Sequence, residues 1–291
     1  MKSNNKPLTL SIVIPAYNEE RHIKKCLDSI NNQTLMPNEV ILVDNNCTDN
    51  TVAIAKKYKF VRVVKESSQG QGFARTKGLN SATTDIIGRI DADSVLNTNW
   101  TQVVIETFQD KKIDAITGPG YTQALPKLFG IQLLPNYYSG LWSRVYLVGA
   151  TGIMRIQALW GANMAIRTSA WKTVVDEACN DDKKVHEDQD LAILLSSNGL
   201  ASNYVDRLRI SMDGDSFFYW PKYWEYMNRS FRTYGYRIEL GSLDRQNVVR
   251  KPIYYFPIAI LIIIFPTIIF TIASFLVFYS VKLFKMTAKG R

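Results

Sequence analysis

The stretch LTLSIVIPAYNEERHIKKCLDSINNQTLMPNEVILVD, Leu8 to Asp44, decides the fold class. It holds a β-branched apolar run that stops at Pro15, then a longer segment with Ile23, Cys26, Leu27 and Ile30 at helical spacing, then a second apolar run, EVILVD. Short runs this uniformly apolar fit strands buried on both faces, and a helix between two of them is the crossover of a parallel pair. The rhythm continues: DNTVAIAKKY reads as a helix, FVRVVKE as a strand, FARTKGLNSA as a helix, DIIGRID as a strand, NWTQVVIETFQD as a helix and IDAITGP as a strand. The expected fold is α/β, a mostly parallel sheet flanked by helices.

Such sheets bind ligands beyond the carboxyl ends of their strands, and polar residues collect at those ends here. PAYNEE follows the first strand, DNNCTDNT the second and DADS the fourth, so three polar loops share one edge. In DADS, Asp91 and Asp93 cannot both enter an apolar core without a large desolvation cost. Oxygen ligands in a turn suit Mg2+ or Mn2+ with positions left for diphosphate oxygens, although a DxD in isolation also fits a solvated turn. A second acidic pair, Glu187 and Asp188 in KVHEDQDLAILLSSNG, lies at an expected helix start, with Leu191, Leu194 and Leu195 on the buried face. The helix dipole explains acids there in the ordinary way; a general base for an acceptor hydroxyl is the sharper reading. His186 adjoins the pair. SSQGQGFARTKGLN, with Arg75 and Lys77 near a helix start, is a candidate phosphate element.

Several function classes lose support. No GxxxxGK[ST] and no GxGxxG follows the first strand, which removes the main signals for nucleoside triphosphatases and dinucleotide oxidoreductases. No Ser-His-Asp pattern is visible, and Cys26, Cys47 and Cys179 have no paired spacing for a disulfide or thiolate metal site. The N-terminal apolar run is too short for a signal peptide. The net charge of +9 admits nucleic acid, phosphorylated ligands or an anionic membrane, and the far end of the chain favours the membrane, with no nucleic-acid partner expected. From Pro252 to Val281 there is no charged residue, enough to cross a hydrocarbon core, either as one span or as a re-entrant hairpin bent at Pro266. Arg245, Arg250 and Lys251 precede it and Lys282, Lys285, Lys289 and Arg291 follow, so charge does not fix its orientation. The aromatic and basic SFFYWPKYWEYMNRSFRTYGYR, just before it, reads as interfacial.

Taken together, VIPAYNEE, LVDNNCTDNT, GFARTKG, DADS and HEDQDLAILL resemble, in order, the motifs of glycosyltransferase family 2. The resemblance implies an inverting sugar transferase with a GT-A, Rossmann-like fold. It further implies that Pro15, Ala16, Tyr17, Glu19 and Asp44, with Arg75, hold a UDP- or GDP-sugar donor. Asp91 would serve the ribose, the diphosphate and the metal, and Asp93 would be the direct ligand of Mg2+ or Mn2+. Asp188 would be the general base, and Glu187 would organise the acceptor side. Asn45 departs from the family's second aspartate, ART replaces ARN, and the QxxRW of processive synthases is missing, which favours transfer of a single sugar.

The expected layout is a catalytic domain at 1–215 (nucleotide half 1–119, acceptor half 120–215), juxtamembrane helices at 216–251, a membrane segment at 252–282 and a basic tail at 283–291. A tether beside a membrane suits a lipid-linked acceptor such as polyprenyl phosphate, with the catalytic domain cytoplasmic. A sugar nucleotidyltransferase would want a basic glycine-rich loop where PAYNEE is acidic. A non-catalytic interaction protein would not need Asp91, Asp93 and Asp188 intact.

Overall fold

A computed structural model describes residues 7–122, 127–128, 131–132, 143, 147, 151–152, 155–212 and 220–244. The opening stretch forms β1 (Leu10–Ala16), α1 (Ile23–Asn31) and β2 (Glu39–Asp44), with β1 and β2 parallel and Ala16 opposite Asp44. There follow α2 (Thr51–Ala55), β3 (Val61–Lys65), α3 (Gln71–Ser81), β4 (Ile86–Ile90), β5 (Ser94–Leu96), α4 (Trp100–Thr107) and β6 (Ala115–Thr117). Each expected element is present, with α2 and β6 shorter than their sequence patterns. DNTVAIAKKY stops being helical at Ala55, and IDAITGP is strand only over Ala115–Thr117.

The later elements are β7 (Gly120–Thr122), a short hairpin of β8 (Lys127–Leu128) and β9 (Ile131–Gln132), β10 (Asn163–Arg167), α5 (Thr168–Val174), α6 (Glu187–Ser197), β11 (Ser202–Tyr204), β12 (Ile210–Met212) and α7 (Trp220–Glu239). The main sheet runs β11-β6-β10-β4-β1-β2-β3. β1 to β4 are mutually parallel, and β10 enters antiparallel between β4 and β6. A small second sheet, β5-β12-β7, lies beside it.

Alternate residues of the central strands feed two cores. Ile12, Ile14 and Leu42 meet Ile23, Leu27 and Ile30 of α1 and Trp100 and Val104 of α4. Val13, Ile41 and Val43 meet Ala74 and Leu79 of α3, Trp171 of α5 and Leu191, Leu194 and Leu195 of α6. Each such side chain, fully buried, contributes about 1.5–3 kcal/mol, so the layered core carries most of the folding energy. Gly88 lets the Trp100 ring approach β4 closely, since a Cβ there would come within 2.6 Å of it. The Trp100 indole N–H then reaches Asn163 Oδ1 at 2.8 Å, fastening α4 to β10.

The expected membrane segment at 252–282 and basic tail at 283–291 lie outside the described residues. Among the described residues no helix is long and apolar enough to cross a membrane.

Candidate active site

The order β3-β2-β1-β4 reverses direction between β1 and β4, which opens a crevice at their carboxyl ends. The loops after β1 and β2 are laced together there. The Glu19 N–H donates to Thr51 Oγ1 at 2.7 Å, the Glu20 N–H to Asp49 Oδ2 at 3.0 Å, and the Thr48 N–H to Asn18 Oδ1 at 2.8 Å. Asn18 holds a left-handed φ of 57° in this turn. Pro15 and Ala16 end β1 under the loop, Tyr17 stands 51% exposed, and Asp44 Oδ1 accepts the Cys47 N–H at 2.8 Å.

Asn45 explains its own departure from the family pattern. It is 3% exposed, its amide donates to Ser68 O at 2.7 Å and Glu66 O at 3.2 Å, and its Oδ1 accepts the Gly70 N–H at 3.0 Å. A carboxylate could not make the first two bonds. Asn45 therefore ties the β2 loop to the turn that starts α3.

Asp91 and Asp93 flank a tight turn closed by the Ser94 N–H to Asp91 O at 3.0 Å. Burial, and then the nearby Asp93, Asp91 and Glu19, push the Cys26 thiol pKa far up. Asp91 and Asp93 thus put two carboxylates near the buried Cys26 at the end of β4, the hard-oxygen donor type that Mg2+ or Mn2+ takes.

From Asp91 a row of alternating charges crosses to α6. Arg75 Nη2 lies 3.6 Å from Asp91, and Arg75 Nη1 pairs with Glu187. Arg89, on β4, lies 3.9 Å from Glu187 and pairs with Asp188. The Arg89 Nε–H donates to Gly161 O at 3.0 Å, and the Gly161 N–H donates to Asp188 Oδ2 at 2.7 Å. Only glycine fits at 161, because a Cβ would collide with both Arg89 and Asp188. Burial alone would raise the pKa of Asp188; Arg89, then Arg75, His186 and the Gly161 amide override it and hold the carboxyl far below the usual range.

The structure thus joins the two acidic pairs that the sequence kept 94 positions apart, and the two arginines are the connection. Arg75 meets Glu187 and Asp91, as a donor-side residue on that edge can. Lys77 is exposed along α3, away from its start. The start of α3 is itself occupied, since Asp182 accepts the N–H groups of Gln71 at 2.7 Å and Gly72 at 3.1 Å. His186, Glu187 and Asp188 cluster closely enough to share a cation, but Arg75 and Arg89 already engage the two carboxylates. Burial pushes the His186 pKa down to about 4.

Arg89, Gly161 and Asp182 were not singled out by sequence reasoning. The available signal was an arginine set in an otherwise apolar buried strand, IIGRI, which demands a buried counter-charge.

Residues 11–144 match the family described as Glycosyl transferase family 2. The chain is 33% identical over 116 residues to "Uncharacterized glycosyltransferase EpsJ" of Bacillus subtilis (strain 168), covering 38% of this chain and 33% of that protein. It is 30% identical over 117 residues to "Glycosyltransferase GlyG" of Streptococcus pneumoniae serotype 4, covering 38% and 39%. The chain thus spans only about a third of the length of the curated relatives it matches. A mannosyltransferase of Pyrobaculum calidifontis, PcManGT, solved with GDP-Man and Mn2+, superposes with a TM-score of 0.62 at 16% identity over 81% of this chain and 65% of that one. Glucosyl-3-phosphoglycerate synthase of Mycobacterium tuberculosis, solved with Mn2+, UDP and phosphoglyceric acid, gives 0.56 at 18% identity over 82% and 80%. The α/β fold is GT-A-like, and residues 11–144, which carry the laced loops and the Asp91–Asp93 turn, are the stretch that matches glycosyltransferase family 2.

Proposed function

We propose that the protein is an inverting glycosyltransferase that moves one sugar from a UDP- or GDP-sugar to a membrane-associated acceptor. The observation that carries this is the row Asp91, Arg75, Glu187, Arg89, Asp188, which sets a metal-type acid pair and a base-type acid pair side by side at one sheet edge. Relatives of the same fold were solved with GDP-Man and Mn2+ or with UDP-GlcNAc.

In this reading Pro15, Ala16, Tyr17, Glu19 and Asp44 receive the nucleoside, and Arg75 steadies the donor. A divalent cation held through Asp91 and Asp93 would offset the charge of the departing diphosphate. Asp188 takes the acceptor proton as the acceptor oxygen attacks the anomeric carbon opposite the diphosphate, and Glu187 orients the acceptor. Arg89 keeps Asp188 ionised, and the same pairing lowers its basicity until it is released. In the structure Asp188 is only 3% exposed with both oxygens engaged, so proton uptake requires one of them to leave Arg89 or Gly161.

The membrane side of the proposal rests on the uncharged run from Pro252 to Val281 with basic residues at both ends. It favours a polyprenyl-phosphate or lipid-linked saccharide acceptor in cell-envelope glycan synthesis, with the catalytic domain on the cytoplasmic face. The test is incubation of the full chain with Mn2+, a panel of sugar nucleotides and native membranes. Nucleoside diphosphate release with a labelled lipid product supports the reading. Pyrophosphate exchange would mark a nucleotidyltransferase, and neither signal a non-catalytic role.

A further inference from the structure

Helix α7 meets the start of α6 through a stripe at helical spacing, Ser230, Thr233, Tyr234 and Arg237. The His186 N–H donates to Thr233 Oγ1 at 2.7 Å, and Gln189 Nε2 donates to Ser230 Oγ at 2.8 Å. Tyr234 packs in a cluster with Ile193 of α6. Arg237 closes the stripe with a fork: Nε lies 2.5 Å from Asp190 Oδ1 and Nη2 lies 2.7 Å from Asp190 Oδ2. Nη2 also reaches Glu177 O at 2.8 Å, and Asp190 Oδ2 accepts the Cys179 N–H at 3.1 Å. Both charged side chains are 1–2% exposed.

A buried ion pair is a poor way to glue two helices, because well-packed apolar residues hold them as well without the desolvation cost. What a bidentate fork supplies is a fixed angle and register. The turn so fixed begins with Glu187 and Asp188, and Asp188 faces Arg89 on the sheet while Asp190 faces α7. The first turn of α6 is therefore clamped from two sides by two buried arginines.

We propose that Arg237 is a positioning residue for the Glu187–Asp188 pair, holding the first turn of α6 in register with the Asp91–Asp93 edge through Asp190. Its effect on turnover rests on the transferase reading above; its effect on the turn does not. The row of charges from Asp91 to Asp188 tolerates little displacement, since a shift of about 1 Å in a reacting group can cost roughly a hundredfold in rate.

The test uses the full chain and the variants Arg237→Met, Arg237→Lys and Asp190→Asn/Arg237→Met. Three quantities are read: amide hydrogen exchange over residues 186–191, thermal midpoint, and Mn2+-dependent nucleoside diphosphate release with kcat and donor KM separated. Arg237→Met should speed exchange over 186–191 by about tenfold or more while β1 and β2 stay protected. Its kcat should fall roughly 10- to 100-fold with donor KM within about twofold. Arg237→Lys, with a point charge in place of the fork, should fall between. The double variant, which removes the unpaired charge, should regain the midpoint without regaining kcat. Unchanged exchange in Arg237→Met, or kcat recovering in step with the midpoint in the double variant, overturns the proposal. Should Arg237→Met not fold, the lysine and double variants carry the same comparison. If the unaltered chain releases no nucleoside diphosphate from any UDP- or GDP-sugar, the transferase reading fails and exchange alone decides the positioning.

Discussion

The guanidinium of Arg89, in the middle of β4, is paired with the carboxylate of Asp188, in the first turn of α6, and both contact the backbone of Gly161. Because neither side chain reaches water, removing one strands the other. Arg89→Met should lower folding stability by about 3–5 kcal/mol, and Arg89→Met/Asp188→Asn should recover much of that. Denaturant titration of Arg89→Met, Asp188→Asn and the double variant checks it; a loss in the double equal to the sum of the two single losses would mean that the pair contributes no coupling.

Acid should lower the stability of the protein in two stages. His186 has a folded-state pKa of about 4, below that of the free side chain, so the unfolded chain takes up its proton first. Its contribution is complete above about pH 6.5 and lost as pH falls toward 4. Asp188, whose carboxyl is depressed, contributes fully above its unfolded value of about 3.9 and loses that contribution below it. Denaturation midpoints measured against pH should lose the upper stage in His186→Gln and the lower stage in Asp188→Asn.

Asn45→Asp restores the residue usual in the resembled family yet should be harmful here. It replaces two N–H donors to Ser68 O and Glu66 O with a carboxylate facing two carbonyls. We expect a loss of about 2 kcal/mol and weaker donor binding, read by thermal melting and nucleotide titration. A variant as stable as the original would show that the loop rearranges.

For the chemistry, Asp188→Asn should keep nucleotide-sugar binding while transfer drops by about three orders of magnitude or more. Asp93→Ala should instead weaken Mn2+-dependent donor binding. Glu187→Gln separates the members of the pair: a deeper loss of kcat there than in Asp188→Asn would move the base assignment to Glu187.

The first half was legible because β1 to β4 are short, mostly apolar runs ended by turn residues, and chain order within β1-α1-β2 determines neighbours in space. The part from β7 onward was less so. NMAIR is short, and its apolar residues do not show that it will insert antiparallel between β4 and β6. Arg89 and Asp188 lie 99 positions apart, so no local pattern links them. Arg237 sits in a segment rich in aromatics and bases, and that composition points outward to a lipid surface while its buried stripe points inward to α6. The sequence shows both properties and cannot rank them, since the partner, Asp190, is 47 positions away.

The antiparallel run of β10 has a consequence for how such a site can diversify. β6 ends at the carboxyl edge of β1 and β4 and β10 begins there, with the Gly118 N–H bonded to Asn163 O at 3.3 Å. Everything between them is an excursion that departs from and returns to the same rim. Its described ends are held in place, near β6 by β7 pairing with β12 and near β10 by Gly161 between Arg89 and Asp188, so a change of content between them has to keep both anchors while the strand registers of the main sheet stay as they are.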